Sequence, residues 1–293
     1  MLQVSHPASY PINNRTSSSF YQRSGVEIEE MATINEFKEI LNTEVYVDLD
    51  RLRESARHGI PMEVRGEVWK YLLEVNPADR SQELTSLKAK SDEYLAIEKE
   101  NMEIVKRVRG EVSRYQQRIK NFDDTNDYTS IFENVISAYM NHNREVEYYP
   151  ALVQLSAPFV YCVKNEPEVY YCFERLMSIL DEYYSTHNIN ERVANFMTLF
   201  RAVLPDLYNY FEEEEVYLNE WATSCLQYLL SRELQLADIM RLWDTYFSIP
   251  DPIEFHPYVC LAVLKHFKEN LEELEQSEIR TLLLRLPSMD LEQ

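Results

Sequence analysis

Apolar positions recur along this chain at three- and four-residue spacing, which predicts helices throughout. The pattern is clearest from Phe132 to Tyr161. Phe132, Val135, Ile136 and Tyr139 place one apolar face on a first helix. Asn141 to Glu147 carries no long apolar side chain except Val146, so that helix ends there. Pro150 suits the first turn of a second helix, where a missing N–H costs nothing. This second helix, about Ala151 to Cys162, is apolar nearly all round, and such helices are buried. A buried helix that starts at a polar elbow brings surface chemistry close to a rigid core.

The remaining pattern reads as more of the same. Thr33 to Leu52 is amphipathic, and Thr33 with Glu36 could form a capping box. Arg57 to Pro61 is a turn. The helix carrying Val64, Val68, Trp69, Leu72 and Leu73 is expected to stop at Asn76-Pro77, because the residue before proline is pushed out of helical space. Residues 78–99 are charged and predict an exposed helix. Ile104, Val108, Val112, Tyr115 and Ile119 form a stripe that Gly110 weakens. Phe122 to Asn126 breaks that helix and can cap the next. Further helices are expected over about Val169 to Tyr184, through Phe196 and Phe200 to a stop at Pro205, through Trp221, and over Ile239 to Phe247. His256 to about Leu274 and Ser277 to Leu286 complete the set. The run Glu212 to Glu215 reads as the solvated start of a helix, at the favourable end of its dipole. Residues 1–30 are polar, rich in Ser, Asn and Tyr, and without periodicity, as in a disordered tail. The expected organisation is therefore all-α: a tail over 1–30 and one helical domain over 31–293.

Composition narrows the chemistry. With only 4 glycines in 293 residues, no glycine-rich phosphate loop can be written. The same scarcity, without alternating runs, argues against a β sandwich or barrel. Lys and Arg total 29 against 50 Asp and Glu, a net charge of −21. Such a chain repels a phosphate backbone, so nucleic acid is not an expected partner. Anionic lipid would repel it too, and no apolar run is long enough to span a bilayer. Direct membrane insertion is not expected, and the chain reads as cytoplasmic, with any membrane location reached peripherally through a partner. The field could steer a basic protein surface onto the domain, or simply keep it soluble. Cys162, Cys172, Cys225 and Cys260 form no C-x-x-C pair and read as buried free thiols. The six histidines form no metal-ligating motif, and Ser156 sits in no nucleophile elbow. No metal site and no self-contained active site is expected. The 21 tyrosines suit helix packing first and a protein-binding surface second.

Three blocks of sequence resemble the TBC domain of Rab GTPase-activating proteins. Gly59-Ile60-Pro61, Arg65, Trp69 and Leu72-Leu73 look like the family's opening block. Ala138, Tyr139, Asn143, Val146, Tyr148, Ala157 and Pro158 match its central block in register. Glu220-Trp221 and Arg241-Leu242-Trp243-Asp244 look like its later blocks. The resemblance runs from about Arg57 to Pro287 and implies a single TBC-like helical domain with a buried structural arginine at Arg65. It also implies a two-finger mechanism, in which an arginine enters the partner's nucleotide site and a glutamine positions the attacking water. GTP and Mg²⁺ would be carried by the partner, a Rab-type small GTPase, and the chain would need no cofactor of its own.

The arginine motif of the family is best matched by Val108-x-x-Glu111-x-x-Arg114, with Arg114 as the finger and Glu111 orienting it. Arg109 and Arg118 are the alternatives. A guanidinium suits this task because phosphoryl transfer spreads negative charge over several oxygens, and a finger supplied in trans contributes on the order of 10³–10⁵ in rate. Lysine lacks the planar fork. The glutamine position is occupied by Pro150, which can neither donate to a water nor accept from one, and the flanking glycines are Glu147 and Ala151. Gln154, one helical turn on, could replace it only if the elbow is rebuilt. Tyr148, Tyr149 and Pro150 are expected to contact the GTPase. The expected function is activation of a Rab-type GTPase, making the chain a regulator of an enzyme. The alternatives are a catalytically weakened TBC domain that binds a Rab or another protein as a scaffold, and a helical scaffold with no GTPase partner.

Overall fold

The computed structural model describes residues 30–119, 126–289 and 291. Residues 1–29 of the tail expected over 1–30, and most of the breaker at Phe122 to Asn126, lie outside them; Glu30 begins the first helix. The described chain is helical, and its β pairing is one isolated bridge, Tyr46 to Asp79. The helices are α1 (residues 30–41), α2 (Leu49–Ala56), α3 (Met62–Leu72), α4 (Glu83–Ala96), α5 (Met102–Arg118), α6 (Thr129–His142) and α7 (Ala151–Cys162). They continue with α8 (Glu166–Thr186), α9 (Ile189–Val203), α10 (Pro205–Glu213), α11 (Asn219–Tyr228), α12 (Leu236–Ser248), α13 (Pro252–His266), α14 (Lys268–Leu271) and α15 (Gln276–Leu284).

Helix α7 is the axis of the packing. Every residue from Ala151 to Val160 is buried, and the helix lies against α3, α5, α6, α8 and α12. Its all-round apolar composition predicts that position. At its C-terminal end Gly66 of α3 lets two backbones meet: a Cβ added there would stand 2.2 Å from the Cys162 carbonyl oxygen. Phe159 meets Trp69 at 5.6 Å and Trp243 at 5.7 Å between ring centroids, joining α3, α7 and α12.

A buried ion pair fixes the same corner. Asp244 accepts from Arg65 Nε at 3.0 Å, Trp69 Nε1 at 2.8 Å and the Ile60 amide at 2.9 Å. Burial lifts its carboxyl above the ordinary range, and the Arg65 guanidinium and the donated bonds pull the other way. The turn before α3 holds Gly59 at φ +99, a region that favours glycine.

Five details differ from the sequence pattern. The stretch Thr33 to Leu52 is two helices, because Val45 and Val47 leave helical geometry to pair with residues 78–80. Thr33 lies inside α1 rather than capping it, and Glu36 accepts instead from Ser55 at 2.8 Å. Helix α3 stops at Leu72, before the proline, where Glu74 turns to φ 61. Pro205 opens α10, so Glu212 and Glu213 end a helix rather than start one. The buried pair Leu207 and Phe211 holds α10 down and keeps the glutamates at its unfavourable pole. The helix expected over His256 to Leu274 is divided at Phe267 into α13 and α14.

Candidate functional site

Helix α5 carries Arg107, Glu111, Arg114 and Arg118 at spacings of four, three and four, which sets them along one helix face. Beside this stripe runs the buried one, Ile104, Val108, Val112 and Tyr115, which seats α5 on α6 and α7. Asn101 caps the helix by accepting from the Ile104 amide at 3.1 Å.

Each arginine of α5 has a different commitment. Arg118 donates to the backbone carbonyls of Arg232 and Leu234, between α11 and α12, and burial holds its pKa below the usual arginine value. Arg109 forms a two-pronged pair with Glu133 of α6, at 2.6 and 3.2 Å. Arg107 lies over the Tyr148 ring, 4.5 Å from its centroid. Among the described residues Arg114 pairs with Glu111 alone, and 69% of its side chain is exposed. It could leave that partner without disturbing the core.

Glu111 is mostly buried, with 12% of its side chain exposed. One carboxylate oxygen accepts from Arg114 and the other from Gln154 Nε2 of α7, at 2.8 Å. Together these groups line an open pocket of about 310 Å³ with Arg118, Arg232 and Glu233. Its lining sets three arginines, Arg114, Arg118 and Arg232, against two glutamates, in a chain whose net charge is −21. A pocket of fixed and free guanidinium groups suits an anionic ligand, and phosphate oxygens are the best match for their geometry.

The elbow residues divide. Tyr148 is half-buried, and its hydroxyl is inside without a hydrogen-bond partner among the described residues. Burial pushes its phenol pKa up; Glu111 adds to that shift, and Arg107 and Arg114 oppose it. Tyr148 therefore shares the electrostatic surroundings of the Arg114 pair. Tyr149 stacks on Tyr228 at 5.7 Å and 25°, and burial raises its pKa as well. Pro150 is exposed and begins α7 with helical backbone angles. It offers no side-chain donor or acceptor. The structure thus brings Arg114, Glu111 and Tyr148 together, turns Tyr149 toward packing, and leaves Pro150 at the surface. The sequence offers Gln154 as a replacement for the missing glutamine only if the elbow is rebuilt; in the structure its amide donates to Glu111 instead. The available signal was one long polar side chain on an otherwise apolar helix.

Elsewhere, among the described residues, no group of three or more His, Cys, Asp or Glu could hold a metal ion. His256, the fully buried histidine of α13, meets Tyr246 Oη at 2.5 Å and the Cys225 carbonyl at 2.6 Å, as a satisfied core histidine does. No described helix is long and apolar enough to cross a membrane.

The fold and this pocket define an all-helical domain, among the described residues, that presents an exposed, carboxylate-braced arginine from the amphipathic helix α5. The family model of the Rab-GTPase-TBC domain matches residues 62–272, and the chain belongs to that family. It is 27% identical to the GTPase-activating protein gyp1 of Schizosaccharomyces pombe over 89% of this chain and 58% of that protein. It is 26% identical to TBC1 domain family member 22B of Homo sapiens over 89% of this chain and 59% of that protein. The chain thus spans about three fifths of the length of these relatives. A crystal structure of the Ypt/Rab-GAP domain of Gyp1p matches with a TM-score of 0.69, covering 89% of this chain and 93% of that one. At 22% identity that match shows the fold.

Proposed function

We propose that this chain stimulates GTP hydrolysis by a Rab-type small GTPase, with Arg114 as an arginine finger oriented by Glu111. The observation that carries this reading is the exposed Arg114, held by one carboxylate in a pocket lined by three arginines, while Arg107, Arg109 and Arg118 are engaged elsewhere. Family membership and relatives named as GTPase activators support it. GTP and Mg²⁺ belong to the partner. In the transition state the guanidinium would leave Glu111 for the oxygens of the transferring phosphoryl group. Tyr148 would lie against the partner, and Pro150 would touch it without chemistry. The attacking water then falls to the GTPase's own glutamine.

A second reading rests on Pro150 itself. A domain that has lost the water-positioning side chain can bind a GTPase without accelerating it, as a scaffold. Single-turnover GTP hydrolysis across a Rab panel separates the two, using wild-type protein and Arg114→Ala. Stimulation that disappears in the variant supports the activator. GTP-dependent binding with no stimulation of any Rab overturns it in favour of the scaffold. Repeating the assay on a stimulated Rab that lacks its switch glutamine tests who positions the water, and stimulation should vanish.

A further inference from the structure

We infer that Gln154 is a positioning residue: it pins one oxygen of the Glu111 carboxylate so that the other is presented to Arg114. The inference rests on the activator reading for its kinetic consequence and on the geometry alone for its structural one.

Three observations carry it. Gln154 Nε2 lies 2.8 Å from Glu111 Oε1, and Arg114 Nε lies 3.0 Å from Glu111 Oε2, so the two donors take separate oxygens. An ionised carboxylate only accepts, so the amide must turn its nitrogen toward Glu111. Second, that orientation leaves Gln154 Oε1 buried without a hydrogen-bond partner among the described residues. An unmade buried bond is costly, and flipping the amide would set oxygen against oxygen. Third, Gln154 is 8% exposed on a helix whose neighbours Leu152, Val153 and Leu155 are fully buried. A leucine or methionine would fill this place without an orphaned atom. The glutamine is accounted for by what it does to Glu111.

The consequence concerns rotamers. Glu111 is on α5 three residues before Arg114, and its side chain has three rotatable bonds. Unpinned, the carboxylate could rotate toward solvent or toward Arg107 and carry Arg114 with it. Pinned from α7, it becomes a fixed point, and α7 is the most buried helix of the site. The geometry of an exposed arginine is thereby referred to the core.

A double-mutant cycle tests this on a Rab that wild-type protein stimulates. Gln154→Met conserves volume and removes the amide. It is expected to lower kcat between about ten- and a hundredfold, with KM within about twofold and an unchanged melting temperature. Glu111→Ala should lose at least as much, and the double variant no more than Glu111→Ala, because the amide acts only through that carboxylate. Unchanged kcat in Gln154→Met overturns the inference, as do losses that multiply in the double variant. A second measurement needs no GTPase. The Arg114 Nε–H resonance of free protein, assigned by its absence in Arg114→Lys, should be protected from solvent exchange in wild type and lose protection in Gln154→Met. Should no Rab be stimulated, the activator reading falls, and this resonance alone decides the inference: protection unchanged by Gln154→Met overturns it.

Discussion

Two arginine–carboxylate pairs serve this molecule in opposite ways. Arg65 and Asp244 are 12% and 0% exposed in their side chains, whereas Arg114 and Glu111 are 69% and 12% exposed. Asp244 accepts from a guanidinium, an indole and a backbone amide drawn from α3 and the turn before it. Its removal would strand several donors in the core. Glu111 is also mostly buried and accepts from two side chains, but its arginine faces water. In the first pair both charges were withdrawn from solvent during folding, and nothing outside can compete for them. In the second, solvent and any arriving anion compete for one of the two. The same chemistry is a fastening where both partners are buried and a presentation where only the carboxylate is.

The sharpest way to break this comparison is to truncate each pair and measure both activity and stability. Arg114→Ala should lose about 10³-fold or more of the stimulated hydrolysis rate, and its urea unfolding should shift by less than about 1 kcal/mol. Asp244→Ala should do the reverse in kind. Removing one partner of a buried pair costs about 3–5 kcal/mol, because it leaves an uncompensated charge and unpaired donors. Urea or thermal unfolding reads that loss directly. A stable Asp244→Ala protein, or an unstable Arg114→Ala protein, would mean that burial does not separate the two roles.

The next effect is smaller and tests whether the fastening positions α7. Gly66→Ala sets a Cβ 2.2 Å from the Cys162 carbonyl oxygen, a backbone atom that cannot swing aside. Forcing α3 and α7 apart should cost about 1–3 kcal/mol in urea unfolding. An Ala variant as stable as wild type would show that this corner has slack, and the reference of Arg114 to the core through α7 would weaken with it.

Much of this was legible in the chain. The apolar run Ala151 to Cys162 gives the bounds and the burial of α7, because a helix without a polar face has only one place to go. Arg65, Trp69 and Asp244 stand in two separate blocks of sequence that look like one family, and the structure joins them in one hydrogen-bonded cluster. The spacing of Glu111 and Arg114 sets them on one helix face. What was illegible depends on distance in the chain. Nothing local says that Val47 will bond Ala78, or that Pro205 opens a helix because Leu207 and Phe211 find the core. The Gln154 to Glu111 bond spans 43 residues, and only the packing of α5 on α7 brings those side chains together.

A third carboxylate, beside Glu111 in the pocket of Arg114, refines the comparison. Glu233 is 1% exposed, so it shares the burial of Asp244. Its Oε1 accepts from Ser224 at 2.6 Å, but its Oε2 has no hydrogen-bond partner among the described residues. Burial raises its pKa above the ordinary carboxylate value, and the Ser224 bond, Arg232 and Arg118 oppose the shift without cancelling it. The folded protein therefore holds this proton more tightly than the unfolded chain does. Stability from this group is fully present below the unfolded value, about 4.3. It declines as pH rises through the window up to the folded value and is level above it. Glu233→Gln cannot ionise and keeps an oxygen for Ser224. Its stability should match wild type near pH 4 and exceed it at pH 7, where the wild-type carboxylate has to be ionised against its burial. Urea midpoints from pH 4 to 7.5 measure the difference. A Gln variant that is instead weaker at pH 7 would show the ionised carboxylate to be held by Arg118 or Arg232. Glu233 would then belong with Asp244 as a second fastening, and Arg114 would stand at the edge of a locked pocket.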